Sequence, residues 1–436
     1  MRTLYTLLWY AALPLLPLRL WWRGRREPGY RAHVAERFGR YDAPARADSG
    51  SGADGAAPPV VWVHAVSLGE TRAAAPLIAR LQREYPQATV LLTHMTATGR
   101  EAGSALPGGR IVQAWLPYDV PFAVRAFLRR FRPCAGLLVE TELWPNLIDE
   151  ASREGVPIYV VNGRMSPRSA RGYARFAALT RPLFAALGGI AAQAGADAKR
   201  FRDLGAQEVA VTGNLKFDVA IPEAAFGLGR ELRQRFGEHR PVWLAASTRD
   251  GEEALILDAL ARQPLPHGVL TVIVPRHPQR FDAVAELLRQ HGLPFARRSE
   301  GRQVPAGTSF VLGDSMGEML GYCAAADVVF VGGSLLPLGG QNLIEPIAVG
   351  APVIVGPHTF NFTDATAGAI AAGAAARVPD AAALVGEVRA LLADPDRRNA
   401  MSEAGRAFCA AHRGAEERLW AWLAPRLAAR GLPGRG

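Results

Sequence analysis

The chain has 436 residues, which at about 100–200 residues per domain fits two domains, and its 49% hydrophobic and 21% charged content excludes general disorder and collagen-like repeats. Lys plus Arg exceeds Asp plus Glu by ten, and only Lys199 and Lys216 are lysines, so the basic surface is a guanidinium surface suited to phosphates and anionic lipids. Cys134, Cys323 and Cys409 stand far apart with no CxxC or Cys/His cluster, which argues against a disulfide framework or a zinc site and for a reducing compartment.

The first predicted element is apolar. Residues 4–18 carry no charge, and the run reaches Trp22 with only Arg19 interrupting it. As one helix, residues 4–22 would rise about 28 Å, close to the roughly 30 Å of a bilayer core. Trp9, Tyr10, Trp21 and Trp22 suit a membrane interface, and Arg19, Arg23, Arg25 and Arg26 follow the run while only Arg2 precedes it. This pattern predicts an uncleaved membrane anchor over residues 1–28 that leaves the rest of the chain on the cytoplasmic side. Pro14 and Pro17 weaken a straight helix, so a segment lying in the interface stays open, as does a buried core helix.

The segment 42–59 (DAPARADSGSGADGAAPP) reads as a flexible surface loop. Beyond it, short apolar runs alternate with helical patterns such as 72–84 and 279–291. Expected strands are 60–64, 89–93, 136–140, 158–162, 189–193 and 208–212, then 242–246, 270–275, 309–312, 328–332 and 352–356. Each is short, lacks alternation and is followed by Gly, Pro, Ser or Asn, as buried parallel strands are. The expected fold class is α/β: two doubly wound Rossmann-like domains, 29–218 and 241–410, facing a cleft. A polar linker (219–240) joins them and a helical tail (411–436) follows. Ligands in such folds bind beyond the carboxyl ends of the strands, so the residues there are the candidates.

No G-x-G-x-x-G follows the first strand of either half and no Walker A sequence occurs, which sets aside dinucleotide redox chemistry and ATP hydrolysis. The first strand is followed instead by His64-Ala-Val-Ser-Leu-Gly-Glu70, which places Glu70 in a first helical turn. There it either takes a proton from an attacking alcohol or simply complements the helix dipole. Glu140-Thr-Glu142 ends the third expected strand, and two acids at an apolar strand exit are costly unless they meet cations or hydroxyls. They steady positive charge on a sugar ring, orient an acceptor, or form a cap and a buried ion pair. Asn162-Gly-Arg164-Met-Ser166-Pro167 opens a helix on which Arg168, Arg171 and Arg175 fall within about 60° of one another. With Arg164 and Glu142 they are the candidates for holding an anionic acceptor, the alternative being a solvated basic face. Residues 122–132 (FAVRAFLRRFR) are basic and amphipathic, suited to a membrane surface. Lys216, in Thr212-Gly-Asn-Leu-Lys-Phe-Asp218, hints at a site that wants a compact ammonium.

The second half supplies three strand-end loops. Val274-Pro275-Arg276-His-Pro278 places a guanidinium where a phosphate could be received. Gly313-Asp-Ser-Met316-Gly317-Glu318 offers backbone N–H groups at a helix start, and the Gly-rich stretch from Gly332 to Asn342-Leu343-Ile344-Glu345 does the same at greater length. No metal-ligand cluster is visible.

Together these ordered motifs resemble the 3-deoxy-D-manno-octulosonic acid (Kdo) transferases, membrane-anchored two-domain GT-B glycosyltransferases of lipopolysaccharide biosynthesis. The resemblance runs from R-L-W-W-R-G-R (19–25) through S-L-G-E (67–70), L-P-Y-D (116–119), E-T-E-L-W-P-N (140–146) and L-K-F-D (215–218). It continues through P-R-H-P (275–278), M-G-E (316–318) and G-P-H-T-F-N-F (356–362). It implies transfer of Kdo from CMP-Kdo to a lipid A precursor (lipid IVA) at the inner membrane, with inversion and without cofactor or metal. It further implies contact with anionic inner-membrane lipids and none with nucleic acid. Carried over by motif, Glu70 resembles the general base, and Glu140 and Lys216 the transition-state stabilisers. Pro275, Arg276, Met316, Gly317, Glu318, Asn342, Leu343, Ile344 and Glu345 resemble the CMP contacts. The chain departs from the family where a motif often written H-N-P-L-E reads Gln341-Asn-Leu-Ile-Glu345. Two rival readings are an acyltransferase using the His277-x4-Asp282 spacing and a non-catalytic binder of anionic lipid or nucleic acid.

Overall fold

In the computed structural model the described residues are 1–25, 27–42, 58–218 and 221–432; most of the loop expected over 42–59, and Arg26, lie outside them. The chain divides into two units, Met1–Val219 with Arg413–Gly436, and Ala220–His412.

The first unit is built on strands β1 (Val60–His64), β2 (Thr89–His94), β3 (Ile111–Trp115), β4 (Ala135–Val139), β5 (Ile158–Gly163), β6 (Gly189–Ala192) and β7 (Val209–Val211). They form one all-parallel sheet in the order β3-β2-β1-β4-β5-β6-β7. Every residue of β1, β2, β4, β5 and β6 is buried, because helices cover both faces. Successive side chains alternate between faces, so Trp62 joins the cluster with Phe127, Phe184 and Phe201, while Val61 and Val63 join Leu77, Ile78 and Leu81.

The carboxyl-terminal helix Ala415–Ala428 also belongs to this unit. Leu419, Leu423 and Leu427, one helical turn apart, are fully buried against that second face, and Arg80 clasps Glu416 at 3.1 Å.

The second unit repeats the plan with β8 (Val242–Thr248), β9 (Leu270–Pro275), β10 (Phe295–Arg297), β11 (Phe310–Leu312), β12 (Val328–Val331), β13 (Val353–Val355) and β14 (Ala375–Arg377). Their order is β10-β11-β9-β8-β12-β13-β14, again all parallel. Both sheets reverse strand order beside their first strand, at β1/β4 and at β8/β12, and the crevice beyond such a reversal is where open α/β sheets bind ligands.

Three structural differences from the sequence expectation have physical causes. Strands β3, β10 and β14 were not anticipated. All three are sheet edges, half-exposed in places, so they lack the unbroken apolar text of a central strand. The stretch expected to be a linker is largely the helix Glu223–Phe236, which buries Leu232 and Phe236. Gly229 lets it approach the helix Met319–Ala325 so closely that a methyl there would sit 2.7 Å from the Ala324 side chain.

The amino-terminal run is not one helix but two, Arg2–Ala12 and Leu16–Arg23, separated by a tight turn over Leu13–Leu15 at Pro14. Among the described residues no helix is long and apolar enough to cross a membrane. One face of the run is fastened to the first unit: Tyr5 donates to Asp119 at 2.8 Å, Thr6 to Asn146 at 2.9 Å, and Trp9 packs on Tyr118 and Trp144. The other face leaves Leu8, Leu15, Leu18 and Trp22 exposed.

Candidate active site

At the β1/β4 reversal, β1 leads through Ser67, with extended backbone, into the helix Leu68–Glu84. Glu70 is the third residue of that helix, and its carboxylate turns back to the entry. Oε2 accepts from the Val66 N–H at 2.6 Å and Oε1 from the Ser67 hydroxyl at 3.1 Å. S-x-x-E is the sequence signature of such a reach-back, so the acid has a local structural role besides any chemical one. Burial, and after it the charges of Glu140 and Glu142, push its pKa up to about 8. The three acids are therefore electrostatic neighbours.

Glu140 follows β4 directly and holds a left-handed backbone (φ +63°), a conformation that non-glycine residues adopt at a cost. The Lys216 ammonium donates to its Oε1 at 2.6 Å, and both side chains are only 19% exposed. The turn Leu215–Phe217 that carries Lys216 is pinned from several sides. The Asn214 side chain accepts from the Lys216 N–H, and the buried Asn162 accepts from the Leu215 N–H, each at 3.0 Å. Asp218 accepts from the N–H groups of Gly414 and Glu416, which caps the carboxyl-terminal helix. Asn162, Asn214 and Asp218 were not singled out from the sequence. Asn162-Gly163 carried a signal for the first, since Asn tolerates the left-handed backbone (φ +55°) it adopts here.

Glu142 is half-buried in the same loop, and burial followed by Glu140 raises its pKa. Burial and then the charge of Glu142 likewise raise the Tyr173 hydroxyl, which places the helix Pro167–Arg175 beside the acids. The expected Ser166 cap is present, accepting from the Ser169 N–H at 3.0 Å. Arg164 is half-buried, its carbonyl bonded by the Thr141 hydroxyl. Arg168, Arg171 and Arg175 are exposed, with no ion-pair partner among the described residues.

In the second unit Pro275 ends β9 and is buried; the N–H of Arg276 donates to the Thr248 carbonyl at 2.9 Å and its Nε to Gln341 at 3.3 Å. Met316 is 56% exposed, Gly317 has φ +80°, and Glu318 is held by Arg298 at 3.0 Å and the Ser315 hydroxyl at 2.6 Å. Asn342 accepts from the Ile344 N–H at 3.0 Å, and Glu345 is half-buried in the short helix Ile344–Ala348. The side chains of Leu343 and Ile344 are buried and hold the loop against the body of the unit. Asp282 pairs with Arg297 at 2.9 Å.

Two buried acids missed in the sequence organise this end of the sheet. Glu252 Oε2 accepts from the N–H groups of Gly333 at 2.6 Å and Arg249 at 2.9 Å, and Oε1 from Leu335 at 2.9 Å, so one carboxylate ties the β8 and β12 exits together. Glu253 accepts from Thr248 and from Arg280, each at 2.9 Å, and burial raises its pKa to about 6. D-G-E-E looks like an ordinary helix start; only the fold shows where the carboxylates go. Glu252→Ala, which strands the buried N–H groups of Gly333 and Leu335 and the part-buried one of Arg249, is expected to cost at least about 3 kcal/mol in a denaturant titration. A loss below about 1 kcal/mol would mean that the tie is not structural.

Residues 32–219 match the family model described as 3-Deoxy-D-manno-octulosonic-acid transferase (kdotransferase), and residues 294–408 match the model Glycosyl transferases group 1. A 3-deoxy-D-manno-octulosonic acid transferase of Bordetella pertussis is 49% identical, the alignment covering 96% of this chain and 97% of that one. The corresponding protein of Haemophilus influenzae is 36% identical over 98% and 99%. Among solved structures, Anabaena Alr3699/HepE in complex with UDP superposes with a TM-score of 0.57, covering 85% of this chain and 100% of that one at 14% identity, a likeness of fold alone.

Proposed function

Because this chain belongs to the 3-deoxy-D-manno-octulosonic acid transferase family, a glycosyltransferase family of lipopolysaccharide biosynthesis with the GT-B fold, we propose that it moves Kdo from CMP-Kdo to a lipid A precursor with inversion and without a metal ion. Glu70 takes the proton of an acceptor hydroxyl, whose oxygen attacks the anomeric carbon as CMP leaves. Glu140 and Lys216 steady charge around the oxocarbenium-like sugar, Arg276 and the loops at Met316–Glu318 and Asn342–Glu345 hold the nucleotide, Arg164, Arg168, Arg171 and Arg175 hold the acceptor's anionic groups, and Glu142 orients the acceptor through its hydroxyls. The observation that carries this reading is the acid group itself. A half-buried carboxylate whose pKa is about 8 lies beside a Glu140–Lys216 pair at a sheet's reversal point, and a base poised near the working pH is what proton abstraction from an alcohol needs.

The test is mass analysis of the product from purified protein, CMP-Kdo and lipid A precursor, with and without chelator. A Kdo-bearing product in both arms is expected. No product in either arm overturns the transfer, and a product only without chelator overturns its metal independence.

We place the enzyme on the cytoplasmic side of the inner membrane, docked in the plane of the bilayer rather than spanning it. Leu8, Leu15, Leu18 and Trp22 supply the apolar contact, and the arginines after the run supply attraction to anionic lipid. Leu15→Glu with Leu18→Glu is expected to release the protein from anionic vesicles in a flotation assay, whereas unchanged flotation removes this surface from the membrane contact.

A further inference from the structure

Resting on that donor chemistry, we propose that Arg249 is a second guanidinium of the donor site, receiving an anionic oxygen pair of the CMP-sugar beside Arg276. It stands immediately after β8, at the reversal of the second sheet, between the exits of β9, which carries Arg276, and of β12, which carries Gly332-Gly333. A methyl on Gly333 would lie 3.5 Å from Arg249 Cγ and 3.2 Å from the Gln341 amide nitrogen, while Gln341 Oε1 accepts from Arg276. Arg249, Gln341 and Arg276 thus gather over one glycine turn, where Gly333 (φ +71°) contributes no side chain to fill the space.

The backbone beneath is held in an unusual shape. Ser247, two residues earlier, is left-handed (φ +55°), and its carbonyl is so close to Gly332 that a methyl there would sit at 2.5 Å. Strain of this kind persists where the surroundings impose it, and it collects at ligand sites. Here the Glu252 carboxylate holds the two crossing segments by accepting from the Arg249 and Gly333 N–H groups. Glu252 is accordingly the residue that positions Arg249.

The charges nearby are otherwise spoken for. Arg280 pairs with Glu253 and Asp250, and Glu252 is fully occupied by backbone N–H groups. The half-buried Arg249 guanidinium has no ion-pair partner among the described residues, although a carboxylate or phosphate fits its fork. An octulosonic acid carries a carboxylate next to its anomeric carbon, so its CMP ester brings two anions close together. Two arginines around Gln341 match that pair better than one.

The experiment compares wild type with Arg249→Ala, reading CMP affinity by calorimetry, KM for CMP-Kdo in the transfer assay, and thermal melting. A rise in KM of about tenfold or more is expected, in line with loss of a charge-assisted hydrogen bond. CMP affinity falling in parallel assigns the phosphate to Arg249, and unchanged CMP affinity assigns the sugar carboxylate. A folded variant with both constants within twofold of wild type overturns the role of Arg249 alone. Wild-type protein that takes no CMP overturns the donor reading, and this proposal with it. Arg249→Gln, which keeps the side-chain stem, supplies the same readouts should the alanine variant fail to fold.

Discussion

Glu70→Gln is expected to lower turnover by at least about a hundredfold while leaving the protein folded and CMP affinity unchanged, as loss of a general base does. The variant separates the two roles of this side chain. An amide retains a carbonyl oxygen that can still accept from the Val66 N–H, so the helix entry survives, but it cannot take a proton. If Glu70 were only a cap, turnover would stay near wild type. Its pKa of about 8 adds two signs. A base acts as the carboxylate, so kcat/KM should rise with pH and level off above about 8, falling about tenfold per unit well below it. In stability the order is reversed. A carboxyl whose folded pKa lies above its unfolded value adds stability that is complete below the unfolded pKa and is lost as pH rises through the folded one. Glu70→Gln should therefore melt no lower than wild type above pH 8, whereas an acid that served mainly as a cap would leave a less stable variant there.

Lys216→Met is the second large effect. It removes the ammonium 2.6 Å from Glu140 and leaves that acid facing Glu70 and Glu142 without this counter-charge, in a loop already held left-handed. Breaking a buried ion pair from one side typically costs about 3–5 kcal/mol, less here because both partners keep some exposure. The expected result is a lower melting temperature, turnover reduced at least about tenfold, and the rising limb of the pH profile displaced above pH 8, because the uncompensated field of Glu140 raises Glu70 further. Glu140→Gln in the same background should bring the limb back toward lower pH. A limb that stays in place through both variants would show that the acids are not coupled, and with that the lysine would lose its electrostatic role.

How much of this was legible in the sequence depends on the kind of contact. The β1, β4, β8 and β9 strands are central, buried on both faces and written as unbroken apolar runs, so their exits, and with them Glu70, Glu140 and Arg276, were found directly. The Ser166 cap and the Glu140–Glu142 pair were readable for the same reason, since strand exits and helix starts are local patterns. The burial of the Leu343 and Ile344 side chains was not, because a residue one step from a glycine loop reads the same whether its side chain packs inward or not.

By itself, then, the order of residues determined the α/β class, the central strands, the family motifs and which acids and arginines stand at the strand ends; each of these follows from burial patterns and caps that span a few residues. Tertiary structure alone decided the edge strands β3, β10 and β14, the return of the last helix to the first unit and the fastening of the amino-terminal run to Asp119 and Asn146. It also decided the pairing of Lys216 with Glu140, 76 positions apart, and the two bonds that Glu252 accepts from a loop more than 80 residues away. The reason is physical: a hydrogen bond or ion pair between distant residues depends on where the sheet brings them, and nothing in the neighbourhood of either residue encodes the other.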